Sequence, residues 1–149
     1  PDFKLVIIGD GDERAKLESL CVELGVGAAV EFRGTQGRQY ISDELNKSVA
    51  FVLTSVSEGF PKVIIEAMAT GTPVIASDSG NVKNVIGDYG IIFPCKNSHA
   101  VCSAMNDIIN DDQFYKECAK RVEERAQQYS WEHTVEKLDT IYRSLLGER

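Results

Sequence analysis

Two glutamates, Glu58 and Glu66, stand eight residues apart in the stretch SEGFPKVIIEAMATGTPVIASDSG, Ser57 to Gly80, on either side of Gly59-Phe60-Pro61. The second lies in a run that is otherwise apolar or small: Val63, Ile64, Ile65, Glu66, Ala67, Met68, Ala69. A carboxylate buried in such a helix without partners is costly or takes up a proton, so a polar ligand carrying donors is expected beside it. Pro61 suits a first helical position, since it has no N–H to leave orphaned, and the helix is expected to start near Phe60. Phe is a poor N-cap, which leaves the backbone amides of Lys62, Val63 and Ile64 without a side-chain acceptor. Amides at the positive end of a helix attract phosphate or hydroxyl oxygens, and Gly59 lets a ligand approach the backbone. Glu66 lies roughly 7.5 Å further along the axis at ~1.5 Å per residue, the reach from a diphosphate to the ribose of the same nucleotide. A ribose diol would supply two donors. Glu58, before the helix, falls on the other side of the phosphate, where a transferred group would lie. The same spacing also arises when an inward Glu pairs with a Lys or Arg to hold a loop, so the surrounding string has to decide.

The elements that position these residues follow from periodicity and punctuation. Phe3–Ile8 reads as a strand ending in Gly9-Asp10-Gly11, followed by a helix with Leu17, Leu20, Cys21 and Leu24 up to Gly25. Val30–Phe32 reads as a second strand closed by Arg33-Gly34-Thr35, then a helix around Gln39 to Lys47 and a buried strand Val49–Leu53. The motif helix ends at Gly71-Thr72-Pro73 before the strand Val74–Ala76. A short strand, Gly90–Phe93, precedes helices over Ser98–Asn110, Asp111–Gln128 and Trp131–Leu146. Alternating strands and helices imply an α/β fold with a parallel sheet covered on both faces. In such sheets ligands bind at the carboxyl ends of the strands, where Gly9-Asp10-Gly11, Arg33-Gly34-Thr35, Ser55–Pro61 and Ser77–Asn81 are all expected.

Composition limits the alternatives. At 149 residues the chain fits one domain, and 43% hydrophobic with 26% charged residues is an ordinary globular balance. No apolar stretch approaches the ~20 residues of a membrane span. A net charge of −7 without a Lys/Arg cluster excludes a nucleic-acid surface. Cys21, Cys95, Cys102 and Cys118 show neither C-x-x-C pairing nor a nearby His, so they read as small buried hydrophobes in a reducing compartment rather than zinc ligands or disulfides. The opening PDFKLVIIGDG has no initiator Met or signal segment and begins a strand at once, as expected of a piece of something longer.

Ser55-x-x-Glu58-Gly59-Phe60-Pro61, continued by Glu66-Ala67-Met68-Ala69-x-Gly71-x-Pro73-Val74-Ile75-Ala76, resembles the signature of retaining glycosyltransferases of the GT-B group, family GT4. The resemblance extends to Gly9-Asp10-Gly11, Leu24-Gly25-Val26, Val30-x-Phe32-x-Gly34, Gly90-x-x-Phe93-Pro94, Ser130-Trp131-Glu132 and Ile141-Tyr142, nearly the whole chain. It implies two facing Rossmann-like halves, each a three-layer α/β/α parallel sheet, the N-terminal half holding acceptor and the C-terminal half a nucleotide-diphosphate sugar. This sequence is similar to the C-terminal, donor half (residues 1–149), without the acceptor domain and without its own first strand and helix. By the resemblance Glu66 holds the ribose hydroxyls and Glu58, the catalytic candidate, contacts the donor sugar. Gly59, Phe60, Pro61, Lys62 and Val63 meet the sugar and phosphates, and Arg33-Gly34 lies near the base. No metal and no cofactor are implied, and the acceptor is not specified. The Arg and Lys that clamp the diphosphate in the family precede the segment at which this sequence begins, so donor affinity is expected to be weak and the isolated fragment inactive. Where the family often reads Gly-Gly-x-x-Glu, this sequence has Gly80-Asn81-Val82-Lys83-Asn84, which bears on the choice of sugar.

Smaller signals divide between readings. Lys62 could reach a phosphate with its side chain or be solvated in a first helical turn; Asp78 and Ser79 fit a ligand edge and a turn equally. His99 and His133 are expected at the surface. Gly9-Asp10-Gly11 lacks the third glycine of a dinucleotide fingerprint. Trp131, Leu138, Ile141, Tyr142 and Leu145 form an amphipathic stripe expected to pack in the core, although in the resembled enzymes the last helix crosses to the N-terminal half. The alternatives to transfer are a nucleotide-sugar epimerase or sugar phosphorylase of the same architecture, or a non-catalytic partner subunit. An acidic chain without an anchor points to the cytoplasm, with peripheral contact at the inner face of the membrane left to the missing half.

Overall fold

In the computed structural model, which describes residues 3–147, the apolar triplets Leu5–Ile7 (β1) and Val30–Phe32 (β2) pair in parallel, with Val6 opposite Glu31. Helix α1, Arg14–Glu23, joins them through a 3-10 turn at Gly27–Ala29. These elements form a first unit ending at Asp43, and the boundary with the second unit, which starts at Glu44, falls inside α2, Arg38–Leu45.

The second unit is built on three parallel strands in the order β3-β4-β5, with β3 at Phe51–Leu53, β4 at Val74–Ser77 and β5 at Ile91–Phe93. Val52 faces Ile75, and Ala76 faces Ile92. As the middle strand, β4 is buried along its whole length, which explains the uninterrupted Val-Ile-Ala-Ser run. Its ladder runs one residue beyond the expected Val74–Ala76, to Ser77. Helix α3, Lys62–Ala69, buries Ile64, Ala67 and Met68 on one face, and each fully buried large aliphatic side chain contributes about 1.5–3 kcal/mol. On β4 and β5, Ile75 and Phe93 form a core with Ala104 and Ile108 of α5, Ser98–Asn110, and Cys118 of α6, Asp112–Ala126. Between β4 and β5 the chain also makes a helix that the periodicity did not announce, α4, Val82–Ile86. A 3-10 turn at Gln127–Tyr129 leads into α7, Trp131–Leu146, capped by the Ser130 hydroxyl, which accepts from the His133 amide at 3.1 Å.

Two expectations are corrected here. The α7 stripe is not core: Trp131 is 81% exposed and Leu145 77%, and no residue of α7 is buried, so amphipathic spacing here marks a face that the described residues leave open. Of the four cysteines only Cys118 is buried; Cys102 is exposed and Cys21 and Cys95 are half-buried, and all four are free thiols. Burial pushes the Cys118 thiol above its ordinary range, so it stays protonated.

Candidate functional site

Glu58 lies on the loop that leaves β3, and a second loop, leaving β4, is pressed onto it. The Asn81 amide donates to the Glu58 carbonyl at 3.3 Å. Gly80 makes this approach possible: its φ is +53°, and a Cβ there would stand 1.8 Å from the Glu58 carbonyl oxygen and 2.8 Å from its carbon. Further ties draw the same loops together. The Ser77 hydroxyl donates to the Ser55 carbonyl at 2.5 Å, and the Cys95 thiol, just past β5, lies 3.2 Å from the Asp78 carbonyl and 3.8 Å from that of Ser55. Within this unit the carboxyl ends of all three strands therefore meet around Ser55–Glu58 and Ser77–Asn81. Ser79, 3% exposed, keeps its hydroxyl buried without a hydrogen-bond partner.

From Glu58 the chain enters α3, one residue later than expected. Pro61 takes φ −76° and ψ 85°, an extended ψ that places it at the cap rather than in the first turn. The helix begins at Lys62 and has no side-chain cap. The Ile64 amide, expected to be free, donates to the Pro61 carbonyl at 3.1 Å, which leaves Lys62 and Val63 as the amides at the positive end. Pro61 is buried, Val63 half-buried, and Gly59, Phe60 and Lys62 are exposed.

Glu66 is also corrected. It is exposed, because α3 turns Ile64, Ala67 and Met68 inward and leaves Lys62, Glu66 and Ala69 outside. No burial penalty calls for a partner, and the inference from desolvation fails. Glu58 is half-buried. Among the described residues neither carboxylate enters an ion pair or side-chain hydrogen bond, so the loop-holding role does not apply either. Asn84 donates to the Asn81 side-chain oxygen at 2.7 Å, so these two amides engage each other.

In the first unit, the two expected turns also meet. The Gly9 amide donates to the Gly34 carbonyl at 2.8 Å, with Gly34 at φ +63°, and the Arg33 amide donates to the Ile7 carbonyl at 2.9 Å. The Arg33 guanidinium pairs with Glu31, which also accepts from Lys4 at 2.5 Å. The Lys4 hydrogen bond, and then the Arg33 charge, hold the Glu31 carboxyl below its ordinary range. A cavity of about 270 Å³ beside these turns is lined by Ile7, Asp10, Arg14, Leu17 and Phe32 among others.

His99 is exposed and His133 half-buried, both on helices outside this cluster. Among the described residues no group of three or more His, Cys, Asp or Glu could hold a metal ion, and no helix is long and apolar enough to cross a membrane.

A strand-end cluster of loops around an uncapped helix start, on parallel strands, stands where ligands bind in Rossmann-like α/β/α domains. The chain belongs to the family of glycosyl transferases group 1, which it matches over residues 1–129. Its fold is that of the C-terminal half of GT-B glycosyltransferases. It is 33% identical to a D-inositol 3-phosphate glycosyltransferase of Corynebacterium urealyticum over 140 residues, 92% of this chain and 33% of that protein. The structure of sucrose-phosphate synthase from Thermosynechococcus elongatus matches with a TM-score of 0.83 and 30% identity, over 97% of this chain and 39% of that one. The Anabaena protein Alr3699/HepE, solved in complex with UDP-glucose, matches with a TM-score of 0.78 and 25% identity, over 84% of this chain and 36% of that one. The chain thus spans between a third and two fifths of the length of these proteins.

Proposed function

We propose that this chain is the donor-binding half of a retaining, metal-independent glycosyltransferase of the GT4 type, cytoplasmic or peripheral at the inner membrane face, completed by an N-terminal acceptor domain. The observation that carries the reading is the packing of Gly80-Asn81 onto Glu58 directly before the uncapped start of α3. Family membership and the UDP-glucose held by the similar Anabaena protein support a nucleotide-diphosphate sugar as donor.

The roles follow from the chemistry of each group. The Lys62 and Val63 amides, with Gly59, Phe60 and Pro61 shaping the approach, take the diphosphate, whose negative charge grows as the bond from the anomeric carbon to the phosphate oxygen breaks. That is the charge a metal would otherwise balance, and the helix start supplies the stabilisation. Glu66, one turn on and exposed, accepts from the ribose hydroxyls without first having to be stripped of a partner. Glu58 contacts the donor sugar, and its half-buried carboxylate can stabilise positive charge developing at the anomeric carbon.

Turnover of a labelled nucleotide sugar by the full-length protein, with the product anomer read by NMR, tests this. The reading expects transfer with retention, undiminished by EDTA, and a Glu58→Gln variant slowed about 10²-fold or more. Epimerised donor, inverted product or full activity of Glu58→Gln would overturn it.

A further inference from the structure

Helix α4 is five residues long with no side-chain cap at its start, too short to hold itself together. Its N-terminal end rests on the motif loop through the Asn81–Glu58 hydrogen bond. Its C-terminal end is gripped from α6 and the turn that follows. Arg125 donates from Nε to the Val85 carbonyl at 2.9 Å and from Nη2 to the Asn84 carbonyl at 2.6 Å. A guanidinium on the last carbonyls of a helix satisfies orphan acceptors and opposes the negative end of its dipole. The Tyr129 hydroxyl donates to the Val85 carbonyl at 3.1 Å, and Arg125 lies over the rings of both Tyr89, at 5.7 Å, and Tyr129, at 5.3 Å. Tyr129 also reaches the other side of the motif: its ring meets Phe60 edge-on, centroids 6.3 Å apart at 65°. Phe60 follows Glu58 by two residues. Glu58 is therefore held inside a closed frame that runs through Phe60, Tyr129 and Arg125 to α4 and back through Asn81.

We propose that Arg125 and Tyr129 are positioning residues for the donor-sugar end of the site, setting where the Glu58 loop and the Asn81 loop stand while leaving the nucleotide end to α3. The inference rests on the donor-half reading above. None of the three donor atoms that make the grip need touch a ligand, since Arg125 and Tyr129 act on backbone carbonyls of α4. Loosening the frame accordingly separates two affinities that simple loss of folding would lower together.

The test compares binding of UDP with UDP-glucose, GDP with GDP-mannose and ADP with ADP-glucose by calorimetry on the full-length protein, its Tyr129→Phe and Arg125→Lys variants, and Glu66→Ala. Tyr129→Phe keeps the ring against Phe60 and removes only the hydroxyl; Arg125→Lys keeps the charge but loses the planar fork whose Nε and Nη2 reach the two carbonyls. For whichever pair binds, either variant should weaken the nucleotide sugar about three- to tenfold, the equivalent of one net hydrogen bond, and leave the bare nucleotide within about twofold. The Asn81 amide should also exchange its proton faster in both variants. If one variant fails to fold, the other carries the same readout. Equal weakening of sugar nucleotide and nucleotide, or no change in either, would overturn the positioning role while a loss of binding in Glu66→Ala still upheld the donor site. Absence of binding to all three pairs by the unaltered protein would overturn the donor-half reading and the positioning role with it.

Discussion

Every buried apolar side chain among the described residues lies at or beyond Leu45, whereas Leu5, Leu17, Leu20, Val22 and Leu24 of the first unit are each at least 40% exposed. The second unit fixes its turns from beneath, on a core of β4, α3, α5 and α6. The first fixes Gly9-Asp10-Gly11 and Arg33-Gly34-Thr35 with a two-stranded ladder, the Gly9–Gly34 bond and the Lys4–Glu31–Arg33 charges. Two turn clusters of similar composition thus depend on different forces, burial in one and polar contacts in the other, and should fail under different insults.

The largest expected contrast is in truncation. Met68→Ala, at a fully buried position on α3, should cost about 2–5 kcal/mol, while Leu17→Ala, 40% exposed on α1, should stay within about 0.5 kcal/mol. Urea denaturation followed by circular dichroism checks both, and similar losses at the two positions would erase the distinction. Gly80→Ala comes next. With a positive φ and a Glu58 carbonyl in the way, it should cost about 2–4 kcal/mol, and because Glu58 must move, it should also weaken donor binding. A thermal melt matching the unaltered chain would mean that the two loops do not meet as described.

The smallest effect belongs to the first unit and is read by pH. Since the folded Glu31 carboxyl titrates below its ordinary 4.5, its contribution is fully present above that value and is lost as pH falls through the folded pKa. Glu31→Gln should therefore lower the stability of this unit at pH 7 and make no difference in stronger acid, as amide exchange in the strand pair would report. A difference that persists in acid would assign the effect to shape rather than charge.

Much of this frame is legible in the residues themselves. Val30–Phe32, Ser98–Asn110 and Trp131–Leu146 form the elements their periodicity announces, bounded by Gly34, Asn97 and Ser130. The strand expected from Val49 is shorter, because an apolar run marks burial while only Phe51–Leu53 finds partners on β4. Helix α4 is invisible for a different reason: five residues do not complete two turns, and its ends are held by groups distant in the chain. The outward face of Glu66 could not be read from neighbours that are apolar on every side, since which of them turn inward depends on what α6 and the sheet present to α3. Amphipathicity likewise describes α7 but not what covers it. Of the candidate site, the strand-end position of Glu58 and, to within one residue, the start of α3 are readable from local spacing. Gly80 is legible as a turn residue and in the resemblance of Gly80–Asn84, though not as the point where two loops touch, and Arg125 and Tyr129 not at all, as they act on carbonyls 40 and 44 residues away.

On this account the nucleotide of a sugar donor is held between the start of α3 and Glu66, one turn further along the helix. Saturation-transfer NMR with UDP, GDP, ADP and their sugars, on this chain and its Glu66→Ala variant, addresses it most directly. One nucleotide should bind, with ribose protons strongly saturated, and lose about tenfold or more in affinity on a substitution that, at an exposed position, leaves the melting curve nearly unchanged. A nucleotide that binds equally well to both proteins would contradict the account.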